Sequence, residues 1–345
     1  TTLILRIPGL NDDPELKPAL FHWIIDTEAA CIIGPMDKGD LWFWGKTAGK
    51  DVSTETLLGY ARRVIGKDYP LEVVIRDDWT VNSLIADHYR EGRVFLAGDA
   101  CHLHSPFGGH GMNQGIGDAV DLGWKLSAAL QGGAGEGLLD SYTVERQQAH
   151  KAIVASATKN VGSLSEHFAD PDLSGTGEVR EAARRKTAEA VERLKTPEFY
   201  SIGLVLGNYY ADSPAIAAEP GADREVDISS YVPSARPGHL APHAWVEAGT
   251  SLYDLFSQGF TLLRLADAQY GSEAALSAAA RDAGIPLEIV SPGLSGLKQL
   301  YEANYALVRP DQYIGWRGDT LPAPEALLAV MTGNEINNTD VRRSA

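Results

Sequence analysis

The sequence predicts a mixed α/β and α+β protein in three parts: an antiparallel sheet, a strand-loop-helix unit with a helical extension, and a small α/β domain at the carboxyl end. Three observations carry this prediction. Short alternating runs broken by turn residues fill Thr1 to Phe95, a glycine-rich stretch separates an apolar run from a long periodic segment over 93–130, and strand-like and helix-like runs alternate over 262–317. At 345 residues the chain can build two or three domains of roughly 100–200 residues each.

In the first part, Leu3–Ile7, His22–Asp26, Cys31–Gly34, Leu41–Gly45 and Leu71–Arg76 read as strands. Turn clusters such as Asn11-Asp12-Asp13-Pro14 and Asp37-Lys38-Gly39-Asp40 separate them. Alternation puts Trp42 and Trp44 on one face of the sheet and Phe43 on the other. One helix interrupts the sheet over Ser53–Ile65, with Ser53 or Thr54 as its N-cap and Leu57, Leu58, Ala61, Val64 and Ile65 as its apolar face.

In the second part, Arg93–Asp99 is a short continuous apolar run closed by Gly-Asp, as expected of a strand buried on both faces. After the glycine-rich stretch, Met112, Ile116, Ala119, Val120, Gly123, Leu126 and Leu130 recur at spacings of three and four, predicting a helix over 111–130 that packs one apolar stripe. Residues 138–208 read as mostly helical, with breaks at Gly162 and at 170–177, and the charged segment Glu178–Leu194 reads as a solvated surface helix. The Pro- and Ala-rich stretch 214–236 marks a boundary. Beyond it, Leu262–Leu265, Glu273–Ala283, Leu287–Val290, Ala306–Arg309 and Asp311–Arg317 form a β-α-β unit with a closing hairpin. The expected domains are therefore 1–90, 91–225 and 230–345.

Composition narrows the function. Thirty basic against 46 acidic side chains give a formal charge of −16, which argues against a non-specific nucleic-acid or anionic-membrane binder. Two cysteines, Cys31 and Cys101, exclude a disulfide framework and fit a reducing cytoplasm. No apolar run approaches the length of a membrane span, and none has the form of a signal peptide.

The most informative stretch runs from Gly98 to Leu126. Asp99 closes the apolar run, where α/β sheets present ligand-contacting groups, and a carboxylate there suits sugar-type hydroxyls better than a bare phosphate. Gly108, Gly109 and Gly111 remove β-carbons before the helix, so a planar or phosphorylated ligand can approach the backbone. The helix N-terminus offers that ligand free N–H groups and a positive dipole end, and Pro106 forms a rigid wall. Cys101, His102, His104 and His110 also suggest metal ligands, but no second Cys/His pair stands at ligand spacing and no metal is expected. Asp118 and Asp121, three apart on the helix, read as supports for its first half and a neighbouring backbone.

This stretch resembles the second flavin-binding motif of the FAD-dependent aromatic hydroxylases of the p-hydroxybenzoate and phenol hydroxylase type. The resemblance rests on Gly98, Asp99, Ala100, His102, Pro106, Gly111, Asn113, Asp118, Ala119, Leu122, Trp124, Lys125 and Leu126, continued by Leu138-Leu139-Asp140-Ser141-Tyr142 and Glu145-Arg146. It implies that Asp99 holds the ribityl or pyrophosphate region of FAD. It places Pro106 and the Gly108–Gly111 turn against the isoalloxazine, and the Met112 and Asn113 backbone at its pyrimidine edge. In such enzymes NADPH or NADH reduces the flavin, O2 forms a C4a-hydroperoxide, and one oxygen passes to a phenolic or polyketide-type ring.

The resemblance transfers no catalytic acid or base. His22, Trp42 and Phe107 are the residues that would meet a small aromatic substrate. Arg236-Pro237-Gly238, Ser251–Phe256 and Leu307–Arg317 resemble the thioredoxin-like C-terminal domain of larger members, here without a Cys and hence structural or facing a homodimer partner. The family's amino-terminal Gly-x-Gly-x-x-Gly segment and middle Asp-Gly motif are expected on a partner or preceding segment, because neither occurs here. The competing expectation is a non-catalytic binding or assembly module that keeps the fold.

Overall fold

The protein is described by a computed structural model, which covers residues 1–49, 51–167, 170–221, 224–266 and 271–334. It forms two compact units: residues 1–82 with 158–198, and residues 83–157 with 199–345.

The first unit is built on a five-stranded antiparallel sheet. Its strands are β1 (Thr2–Arg6), β2 (His22–Ile24), β3 (Cys31–Pro35) and β4 (Leu41–Gly45), then, after helix α1 (Thr54–Ile65), β5 (Glu72–Asp77). They lie in the order β2-β3-β4-β1-β5. Register sets Leu3 opposite Trp44 and Leu5 opposite Trp42, so all four project from one face, where they are buried with Leu57 and Ala61 of α1. Phe43 takes the other face, as alternation requires. Ser53 caps α1 by accepting from the Thr56 N–H at 3.1 Å, and Gly66 ends it with φ +70°, a conformation that favours glycine.

The second unit opens with β6 (Leu84–Ile85) and the hairpin β7 (Arg90–Glu91) and β8 (Val94–Phe95). A 3-10 turn over Gly98–Ala100 follows, and β9 (His102–Leu103) pairs back onto β6. Helix α2 (Gly111–Leu130) and helix α3 (Glu136–His167) come next. The expected buried strand at 93–99 is not what forms. Only Val94 and Phe95 are strand, Val94 is 65% exposed, and β7 is the one strand that pairs with them among the described residues.

The expected packing face of α2 is likewise reversed. Met112, Ile116 and Val120 are 77%, 54% and 50% exposed, whereas Asp118, Asp121 and Lys125 are buried. Charged residues at spacings of three and four follow the same helical period as the apolar ones, and they find partners inside the unit, while the described residues leave the apolar stripe uncovered.

Helix α3 runs through Gly162, where the sequence predicts a break. Helix α4 (Gly177–Phe199) is mostly exposed, as its charge pattern predicts, and buries Ala183 and Ala190. Residues 158–198 group with the amino-terminal sheet, although their sequence position continues the glycine-rich segment.

Past the short helix α5 (Ile202–Leu206) and the hairpin β10 (Trp245–Glu247) and β11 (Thr250–Ser251), the chain builds a four-stranded sheet. Strand β12 (Phe260–Arg264) is followed by α6 (Gly271–Asp282) and β13 (Leu287–Val290), parallel to β12. Helix α7 (Leu297–Tyr301) leads to β14 (Tyr305–Val308) and β15 (Ile314–Gly318), antiparallel, in the order β13-β12-β14-β15. This is the β-α-β unit and closing hairpin of the sequence. Helix α8 (Pro324–Met331) packs Leu327 and Met331 on Leu262, Leu307 and Trp316. Residues 335–345 of the expected carboxyl domain lie outside the described residues.

Candidate functional site

The Gly98–Asn113 segment forms a turn, a loop and a helix start within the second unit. Gly98 has φ +58°, and its Cα lies so near α2 that a β-carbon on Gly115 would sit 3.5 Å from it. Two glycines thus bring the turn and the helix backbone together, leaving the Asp99 side chain exposed. Gly108 and Gly109 take φ +97° and +69°, Pro106 is exposed beside them, and the Asn113 amide ties the loop by donating to the Gly109 carbonyl at 3.0 Å.

Among the described residues no side chain caps α2 at His110, and its first turn holds no acidic residue, so the first N–H groups and the positive dipole end remain available. His104 donates from Nδ1 to the Ser105 carbonyl at 2.7 Å, which leaves Nε2 as a buried acceptor without a partner among the described residues, 3.9 Å from where a β-carbon on Gly111 would stand. An exposed carboxylate, a loop stripped of β-carbons and an uncapped helix start fit the ribityl and isoalloxazine portions of a flavin. Phe107 lies in the same loop, its N–H on Ser105 Oγ.

Beneath the turn is a buried cluster that the apolar-residue pattern did not reveal. Asp118 Oδ2 accepts from the Gly98 N–H at 2.9 Å and from His102 Nε2 at 3.2 Å. Its Oδ1 accepts from Arg146 Nε at 2.8 Å and His150 Nε2 at 3.0 Å. Burial alone would raise the Asp118 carboxyl, but the hydrogen bonds from His102 and His150 and the charge of Arg146 hold it well below the usual carboxylate range. Burial, aided by Arg146 and opposed by Asp118, pushes His150 down to about 4. Burial pushes the Cys101 thiol up to about 12, so it stays protonated, within weak hydrogen-bond reach of the Gly98 carbonyl at 3.4 Å and Asp118 Oδ2 at 3.9 Å.

Cys101, His102, Asp118 and His150 present ligand atoms within 4.8 Å of one another. A cation held there would face the Arg146 guanidinium, which already neutralises Asp118. Of the four metal candidates named from sequence, only Cys101 and His102 belong to this group.

A second buried cluster joins α2, α3 and the carboxyl sheet. Lys125 Nζ lies 2.8 Å from Asp121 and 2.6 Å from Glu145, and Arg309 bonds Glu145, Asp121 and Asp311. Three carboxylates face two cations, and burial, with the charges of Glu145 and Asp311, pushes Asp121 well above its ordinary value despite Lys125 and Arg309. The spacing of Asp118, Asp121 and Lys125, and of Arg146 and His150, was the available sequence signal for both clusters.

In the first unit, His22 and Trp42 do come together. With Leu10, Ile33, Val64 and Lys67, among others, they line a cavity of about 200 Å³ between the sheet and α1, and His22 Nε2 and Trp42 Nε1 are buried there without hydrogen-bond partners among the described residues. Lys67 at its edge is paired with Asp13 and Glu15 at 2.8 and 2.7 Å. Phe107 belongs to the other unit.

The glycine turn, the exposed acid and the uncapped helix fit a nucleotide cofactor of the flavin class, and comparison with known proteins gives the same class. Residues 14–157 match the FAD binding domain family, and residues 234–333 match the aromatic-ring hydroxylase C-terminal family. The chain is 32% identical over 357 residues to 2,4-dichlorophenol 6-monooxygenase of Cupriavidus pinatubonensis, covering 90% of this chain and 59% of that one. It superposes on RebC crystals soaked with chromopyrrolic acid and holding 7-carboxy-K252c with a TM-score of 0.85 and 36% identity, over 97% of this chain and 63% of that one. Aklavinone-11 hydroxylase, in a ternary complex with FAD and aklavinone, matches with a TM-score of 0.71 and 27% identity, over 96% and 62% of the two chains. The chain belongs to the FAD-dependent aromatic-ring hydroxylases. It spans between 44% and 59% of the length of its first curated relatives. Among the described residues no helix is long and apolar enough to cross a membrane.

Proposed function

We propose that this chain supplies the substrate-domain sheet, part of the FAD site and the carboxyl domain of a monooxygenase that hydroxylates a phenolic or polyketide-type ring. The observation that carries this reading is the Gly98–Asn113 turn, with Asp99 exposed above a β-carbon-free loop and an uncapped helix. Bound FAD would supply the redox chemistry, taking a hydride from NADPH or NADH and activating O2. Asp99 would accept hydrogen bonds from the ribityl or ribose hydroxyls. Pro106, Gly108, Gly109 and Gly111 would let the ring lie against backbone, and the Met112 and Asn113 N–H groups would meet the pyrimidine edge, where the helix dipole favours the anion formed on reduction.

The exposed stripe of Met112, Ile116 and Val120, and a β8 that among the described residues pairs on one side only, support a further amino-terminal nucleotide-binding segment as their cover. For the substrate, His22 and Trp42 draw support from their shared cavity. Apolar walls and two ring nitrogens that have no hydrogen-bond partner among the described residues suit an oxygen-bearing ring.

The test is FAD titration followed by assay of substrate-stimulated NAD(P)H oxidation, with the amino-terminal segment supplied. Bound flavin and stimulated oxidation are expected. If neither appears while Gly98–Asn113 is intact, the proposal is wrong.

A further inference from the structure

Asp118 never reaches the surface, yet one of its hydrogen bonds ends on the backbone that carries Asp99. A carboxylate offers about four acceptor sites and no donor. Here four nitrogen donors fill them, two to each oxygen: the Gly98 amide and His102 Nε2 on Oδ2, Arg146 Nε and His150 Nε2 on Oδ1. Because Asp118 can only accept, both imidazoles must carry their proton on Nε2. His150 Nδ1 is then an acceptor, and the buried Tyr89 hydroxyl donates to it at 2.7 Å. Arg146 reaches the cluster because Gly117 has no side chain: a β-carbon there would stand 2.7 Å from Nη2.

One of these donors lies at the turn itself. Gly98 sits at φ +58°, immediately before Asp99, and anchoring its N–H holds the start of the Gly98–Ala100 turn that carries the Asp99 side chain.

We propose that Asp118 is a positioning residue for FAD: by holding the Gly98 amide it fixes the Gly98–Ala100 turn and thereby aims the Asp99 carboxylate at the cofactor's hydroxyls. This rests on the flavin reading of the turn, and the experiment separates the two. Asp118→Asn replaces one acceptor oxygen by an NH2, so two of the four donors lose their partner. Asp99→Asn tests the flavin reading alone. Tyr89→Phe removes a buried hydrogen bond at the far side of His150 and leaves the Gly98 contact in place.

In the protein assembled with FAD, the readouts are FAD affinity by fluorescence quenching, thermal stability, and hydrogen exchange of the peptide containing Gly98. Asp99→Asn and Asp118→Asn are each expected to weaken FAD by about tenfold or more, the scale of one hydrogen bond to a charged group. In Asp118→Asn the Gly98 peptide also exchanges faster. Tyr89→Phe is expected to lower Tm while FAD affinity stays within about twofold.

Wild-type FAD affinity in folded Asp118→Asn overturns the proposal, as does a loss in Tyr89→Phe equal to that in Asp118→Asn, which would mark general damage to the cluster. Wild-type affinity in Asp99→Asn overturns the flavin reading instead. If Asp118→Asn does not fold, Asp118→Glu keeps the charge beside Arg146 but displaces the acceptors, and the same readouts decide.

Discussion

Arg309 grips Glu145 with both arms, Nη1 to Oε1 and Nη2 to Oε2, each at 2.7 Å, although 164 positions separate the two residues. Both are fully buried. Glu145 lies in α3, inside the segment that matches the FAD binding domain, and Arg309 follows β14, inside the segment that matches the hydroxylase C-terminal domain. An ionic core therefore joins the two family segments within one compact unit. Replacing Arg309 with Met removes one cation from a cluster that already holds more carboxylates than cations. Stripping one partner from a buried pair costs about 3–5 kcal/mol, because the other charge stays buried and uncompensated. Urea denaturation of R309M is expected to show a loss of that size, and a loss below about 1 kcal/mol would place the pair among ornaments of the surface type.

The His150 environment gives stability a pH dependence. Its imidazole is held at about 4 in the folded protein against 6.5 in the unfolded chain, so between these values the unfolded state binds more protons. Stability is full above pH 6.5, falls as pH drops towards 4, and changes no further from this group below that. The window corresponds to about 3 kcal/mol at 1.36 kcal/mol per pH unit. His110, pushed down by burial, adds to the same trend. The free energy of unfolding measured from pH 8 to 4 should decline in this window, and His150→Phe should flatten most of the decline. An equal slope in that variant would assign the effect elsewhere.

The sheet, α1 with its Ser53 cap, and the β12-α6-β13 unit were legible in sequence because each is written in local periodicity and turn chemistry. The Gly98–Asn113 turn was legible for a similar reason: glycines, proline and a following helix make one local pattern. The buried face of α2 was not. Its apolar residues and its charged residues share a helical period, and only tertiary partners decide which face goes inward. Arg146, His150 and Arg309, which lie far along the chain from Asp118 and Asp121, make the charged face the buried one. The strand at 93–99 failed for the converse reason, since a run reads as buried on both faces only if neighbouring strands exist to bury it.

Two glycines in helices should respond oppositely to the same substitution. Gly59 in α1 is exposed, and beyond the helix's own backbone no described residue comes within 4 Å of the point where its β-carbon would stand, so Gly59→Ala removes a helix-propensity penalty and should stabilise by up to about 1 kcal/mol. Gly117→Ala gains the same propensity but drives a methyl to 2.7 Å from Arg146 Nη2. That guanidinium is pinned by Asp118, Tyr210 and Gln114 and cannot swing away freely. Displacing it exposes a buried carboxylate to loss of its main cation, at about 1–3 kcal/mol for the group left unsatisfied. Thermal melts of both variants check the signs, and a stabilising Gly117→Ala would show that Arg146 is not held as tightly as its bonds indicate.

The apolar stripe of α2 yields a prediction about assembly. Ile116 lies at its middle, half exposed, between Met112 and Val120 one turn away on either side. A surface substitution there should change the stability of this chain by no more than about 0.5 kcal/mol. If an amino-terminal segment covers the stripe, Ile116→Glu buries a carboxylate at that contact with no cation on the stripe itself to pair it, and the contact is lost. Co-purification of a tagged amino-terminal segment with this chain should therefore fail for I116E while circular dichroism and Tm stay at wild-type values. Retention of the segment at wild-type stoichiometry would mean that another surface receives it, and that the stripe has no part in completing the FAD site.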